Sequence, residues 1–89
     1  MVTQSEKDII MRCAEKYGAS VVVLFGSSLE DDKIAKDIDL AVKGIEPRRF
    51  FKFYGELIKQ LPRPVDLVDM SHKSLFTDIV EETGTRIYG

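Results

Sequence analysis

Apolar and polar positions follow two different periods along this chain, and the changes of period divide it into short elements. Ile9, Ile10, Cys13, Ala14 and Tyr17 recur with helical spacing. Ser5 and Asp8 resemble a capping arrangement at the start of this helix, and Gly18 supplies its stop. Val21 to Phe25 is a continuous apolar run rich in β-branched residues, which predicts a strand buried on both faces. Ser27 to about Lys33 reads either as a short helix or as a loop. Ile38 to Val42 then alternates with a period of two. Asp37, Asp39 and Ala41 fall on one face of that strand, and Ile38, Leu40 and Val42 on the other.

Gly44 ends this strand, and Pro47 suits the first turn of a second helix. Phe50, Phe51, Tyr54, Leu57, Ile58 and Leu61 form its apolar stripe, whose spacing predicts core packing rather than an exposed stacking platform. Pro62 and Pro64 lead into a third strand, Val65 to Val68, with Asp66 and Val68 on one face. Asp66 is expected in the middle of a short apolar strand, where it needs a cation, a hydrogen-bond partner or a proton. Asp69 is expected to cap the next turn. Ser71 or Ser74 opens a last helix with Leu75, Phe76, Ile79 and Val80 as its apolar face. Gly84 stops it, and Arg86 to Tyr88 adds an edge strand.

The 89 residues make room for one domain with one modest core, spanning 1–89. With 44% apolar and 31% charged residues, the chain has the balance of a folded, soluble protein. No apolar run approaches the roughly 20 residues that span a bilayer. The single cysteine, Cys13, excludes an internal disulfide and a cysteine-based zinc site. It is expected to pack in the first helix. With no signal-peptide pattern at the N-terminus, cytoplasmic localisation is expected. A net charge of −2 gives no general attraction to nucleic acid. The lone histidine, His72, is expected in an exposed linker, and the cluster Glu30, Asp31, Asp32 on a solvated surface.

The chemistry lies elsewhere. Gly26 and Ser27 end the first apolar run, Asp37 and Asp39 follow, and Asp66 sits on the third strand. Three carboxylates on short apolar strands, beside a turn of small residues, suit a magnesium-dependent phosphoryl or nucleotidyl transfer site. Gly26 lets backbone approach a phosphate closely, and Ser27 adds a hydroxyl and an amide to the same anion. Two ions held by Asp37, Asp39 and Asp66 would brace an in-line displacement. Asp66 could also take the proton from an acceptor hydroxyl. Lys33, Lys36 and Lys43 are candidates to neutralise a triphosphate, though each reads first as a surface lysine.

Gly-Ser, then about ten residues, Asp-x-Asp and a later strand aspartate resemble the signature of the polymerase-β-type nucleotidyltransferase superfamily. V-V-L-F-G-S, D-I-D-L-A-V and P-V-D-L-V-D look like its minimal nucleotidyltransferases (MNT). Many relatives carry A-R-G soon after Gly-Ser, where this chain has L-E-D-D, and Lys36 stands where serine is frequent. The resemblance implies a small α/β (α+β) unit, a mixed sheet with helices packed on one side. It implies Mg2+, with two ions, and ATP as substrate. It makes Asp37, Asp39 and Asp66 the metal carboxylates, and Gly26 and Ser27 the nucleotide-phosphate turn. It further implies a HEPN-type toxin as partner, silenced by transfer of AMP to one of its tyrosines. An antitoxin that neutralises its partner by complex formation alone is the alternative.

Overall fold

A computed structural model of the chain describes residues 2–26 and 37–89. Among these, α1 (Gln4–Tyr17), β1 (Val21–Leu24), β2 (Ile38–Lys43), α2 (Pro47–Gln60), β3 (Val65–Asp69), α3 (Leu75–Thr83) and β4 (Thr85–Tyr88) follow in order. The strands form one sheet in the order β3-β2-β1-β4. β1 runs antiparallel to both β2 and β4, while β2 and β3 are parallel. A parallel pair needs a crossover, and α2 provides it.

Alternation along β1 and β2 decides which face is covered. Val22, Leu24, Ile38, Leu40 and Val42 point into one core cluster, with Ile10, Cys13 and Ala14 from α1 and Phe53 and Leu57 from α2. Val23 and Ala41 point the other way and meet Met70 and Val80. The two long helices therefore share one side of the sheet, and the short α3 lays Val80 on the other. Asp37 and Asp39 alternate with Ile38 and Leu40, so they belong to the more open face.

Several local details differ from the sequence expectation. Thr3, not Ser5, caps α1: its hydroxyl accepts from the Glu6 amide at 3.1 Å, and Glu6 Oε1 accepts from the Thr3 amide at 2.9 Å. This reciprocal pair satisfies two free amide groups at once, and Asp8 instead accepts from the Gln4 side chain. In α2 the buried arc is centred on Phe53 and Leu57, whereas Phe51 is 78% exposed and Ile58 53% exposed. Phe51 and Ile58 lie seven residues apart on one strip, turned roughly 130° from that arc at 3.6 residues per turn. In α3 Thr77 and Val80 are buried, but Leu75, Phe76 and Ile79 are exposed. The sheet takes up a different side of this helix from the one its apolar residues suggest. Ser74 is its cap, Pro47 opens α2, and Gly18 closes α1 with φ 77°.

Candidate active site

The site grows from the start of β2 and its two neighbours. β2 pairs Leu40 with Leu24 of β1, so the next residue of β1's chain, Phe25, comes opposite Asp39 and donates its amide to the Asp39 carbonyl at 3.2 Å. The chain then turns at Gly26, with φ 58°. A Cβ placed on Gly26 would lie 2.7 Å from Asp39 Oδ2. The left-handed backbone favours glycine here, and any side chain would also displace the Asp39 carboxylate.

On the other side of β2, the parallel register places Asp39 directly beside Asp66, and Ile38 beside Val65. Adjacent strands lie about 4.8 Å apart, and in-register residues project to the same face. Val68, two residues after Asp66, packs with the cluster around Val23 and Ala41, which identifies that face as the one Asp39 occupies. Asp37 precedes β2 on the same alternation, its Cα about 6.5–7 Å from that of Asp39. Asp39 and Asp66 therefore stand side by side on one sheet face, with Asp37 in the bend just before β2.

Asp37 and Asp39 are half-buried, whereas Asp66 is exposed. Asp66 does lie on a short apolar strand, but the strand order removes the burial that would have made an unpaired carboxylate costly. β3 lies at the sheet edge, so the carboxylate on its open face reaches solvent. Among the described residues, no three acidic, histidine or cysteine side chains are drawn together closely enough to hold an ion unaided. Magnesium does not require that, since it is commonly held by one or two carboxylates with substrate phosphates and water. The all-oxygen donor set and the glycine beside Asp39 fit such an ion.

Ser27 lies outside the described residues, as do Glu30, Asp31, Asp32, Lys33 and Lys36. Lys43 stands at the far end of β2 from the aspartates and pairs with Glu81 at 3.6 Å. Asp69 accepts from the Ser71 amide at 2.9 Å, the turn-capping role expected of it. His72 is exposed in the linker before α3. One contact near the site had no clear sequence signal. The Tyr54 hydroxyl donates to the Val65 carbonyl at 2.6 Å, one peptide group from Asp66. Tyr54 reads in the sequence as one more apolar-stripe residue.

A mixed sheet carrying Asp-x-Asp at the start of one strand, a third aspartate beside it and a glycine turn against it defines a nucleotidyltransferase-type protein. The chain belongs to the polymerase beta nucleotidyltransferase family, whose model matches residues 7–89. No curated protein matches it. Solved structures with the same fold include a chain of the tri-AMPylated Shewanella oneidensis HEPN toxin in complex with MNT antitoxin. That likeness has 24% identity and a TM-score of 0.74, and covers 97% of this chain and 71% of the other. A chain of the toxin–antitoxin MntA–HepT is 22% identical with a TM-score of 0.73, covering 98% and 73%. A chain of a toxin–antitoxin with AMP-PNP is 22% identical with a TM-score of 0.75, covering 93% and 73%. At these identities the likeness establishes the fold.

Proposed function

We propose that this protein is a magnesium-dependent nucleotidyltransferase that acts as an antitoxin, moving AMP from ATP onto a tyrosine of a partner HEPN toxin in the cytoplasm. The observation that carries this reading is the side-by-side placement of Asp39 and Asp66 on one face, with Gly26 packed against the Asp39 carboxylate. The structural likeness to a chain from the complex of a tri-AMPylated HEPN toxin with MNT antitoxin, and to a chain from a toxin–antitoxin with AMP-PNP, supports the choice of partner and nucleotide.

Asp37, Asp39 and Asp66 would hold magnesium, which when bound neutralises the phosphates and the charge that develops during displacement. Gly26 and Ser27 receive the phosphates, the glycine by allowing close backbone approach and the serine through its hydroxyl and amide. Asp66, at the open edge of the sheet, accepts the proton of the acceptor tyrosine hydroxyl. The freed oxygen bonds to the α-phosphorus, and the bond from that phosphorus to the pyrophosphate oxygen breaks.

The test is transfer of label from α-labelled ATP, with magnesium, into a co-expressed HEPN partner. Wild type is compared with an Asp37→Asn, Asp39→Asn double variant. Label in the partner with wild type alone is the expected result. If the double variant neutralises the partner as well as wild type and no label moves, the protein acts by binding, and the catalytic reading is lost.

A further inference from the structure

We propose that Tyr54 is a positioning residue for Asp66, with the Arg63–Glu6 pair as a second anchor of the same segment; the inference rests on the transferase reading of Asp66 given above. Asp66 is the second residue of an edge strand whose one strand neighbour among the described residues is β2. Strand ends at a sheet edge are where local opening is cheapest, so a functional carboxylate there needs other restraints.

The ladder opens with the Ile38 amide donating to the Pro64 carbonyl at 2.8 Å. Carbonyls along a strand alternate in direction, so the carbonyl of Val65 faces away from β2, toward the side where no strand lies among the described residues. Tyr54 meets it there, its hydroxyl 2.6 Å away. The peptide so fixed is the one that supplies the Asp66 amide. A side chain from α2 thus supplies, at the residue before Asp66, the hydrogen bond that a neighbouring strand would otherwise give.

The approach to the strand is held as well. Arg63 donates to Glu6 through Nε at 3.0 Å and Nη2 at 2.8 Å, and both side chains are largely buried, 17% and 6% exposed. This fork ties the loop before β3 to the first turn of α1. With α1 and α2 both gripping residues 63–65, the Asp66 Cα is set against Asp39 by more than its own ladder.

Manganese binding in the presence of AMP-PNP, followed by loss of the free-ion paramagnetic resonance signal, separates this role from general stability. It is measured for wild type, Tyr54→Phe, Asp66→Asn and the double variant, with the unliganded melting temperature of each. We expect Tyr54→Phe to weaken manganese binding by about 10-fold, the range seen when support of a metal ligand is removed. In the Asp66→Asn background it should weaken binding no further. Arg63→Lys, which keeps the charge but loses the fork, should show the same dependence on Asp66. Equal weakening in both backgrounds, or none in either, overturns the positioning role. Asp66→Asn binding manganese as tightly as wild type overturns the transferase role of Asp66 itself, and the inference with it.

Discussion

Gly26 and Asp39 are packed so closely that a methyl group on the glycine would come within 2.7 Å of the aspartate Oδ2. The contact brings the residue after the end of β1 against the start of β2 and sets the carboxylate beside the Gly26 backbone. Gly18, by contrast, has a similar positive φ of 77° with nothing within 4 Å of an added Cβ. The two glycines therefore separate backbone cost from site geometry. Gly18→Ala and Gly26→Ala should each lose about 1–2 kcal/mol for the left-handed conformation. In Gly26→Ala alone, the thermal stabilisation by magnesium and ATP should disappear. Thermal melting with and without Mg·ATP checks this, and an unchanged ligand shift in Gly26→Ala would remove the turn from the site.

Phe53 and Phe51 sit two residues apart on α2 with opposite environments, 0% and 78% exposed. Phe53 also meets the Tyr17 ring edge-on, with centroids 5.8 Å apart. Phe53→Ala should cost about 3–5 kcal/mol, through lost burial and the cavity left behind. Phe51→Ala should stay within about 0.5 kcal/mol of wild type. Urea unfolding of both variants decides it, and equal losses would contradict the helix orientation.

Those two phenylalanines also show where sequence reading stops. β2 was legible in full because D-I-D-L-A-V admits a single two-residue alternation, and that alternation alone puts Asp37 and Asp39 on the face away from Ile38 and Leu40. In α2 Phe50, Phe51, Phe53 and Tyr54 are all apolar, so the stripe can be drawn in more than one way, and only packing against α1 and the shared core selects the arc through Phe53. At α1 the sequence points to Ser5–Asp8, but Thr3 forms the cap, because Glu6 is the acid that reaches back to the cap amide. The environment of Asp66 depends on strand order, a long-range property that a short apolar run does not encode. Its partnership with Asp39 follows from the parallel pairing that α2 permits.

Cys13 is buried between α1 and α2, and burial pushes its thiol pKa up, with the nearby Glu56 carboxylate adding to the rise. Less thiolate and little access both slow attack on a disulfide reagent. In the folded protein Cys13 should react with Ellman's reagent orders of magnitude more slowly than the same thiol in denaturant. Reaction at the free-thiol rate under native conditions would show that the α1–α2 contact opens readily.

The Glu6–Arg63 pair makes a pH-dependent contribution to stability. Burial raises the Glu6 pKa, but hydrogen bonds from Arg63 and from the Thr3 backbone, with the Arg63 charge, outweigh it and hold the carboxyl below its ordinary value. A carboxyl whose pKa is lower when folded stabilises the protein above its unfolded pKa, and that contribution is lost as pH falls through the folded value. Arg63→Ala leaves Glu6 without its fork and should cost about 2–3 kcal/mol at pH 7, the low side for a buried pair because Arg63 keeps some exposure. In a chain of this size that lowers the melting temperature by about 10–20 °C. The gap between wild type and Arg63→Ala should narrow steadily below about pH 4.3, the ordinary glutamate value, as Glu6 takes up its proton. Melting curves between pH 7 and pH 3 test this directly. A gap that stays constant over that range would mean the pair contributes through packing of the arginine stem and not through its charge.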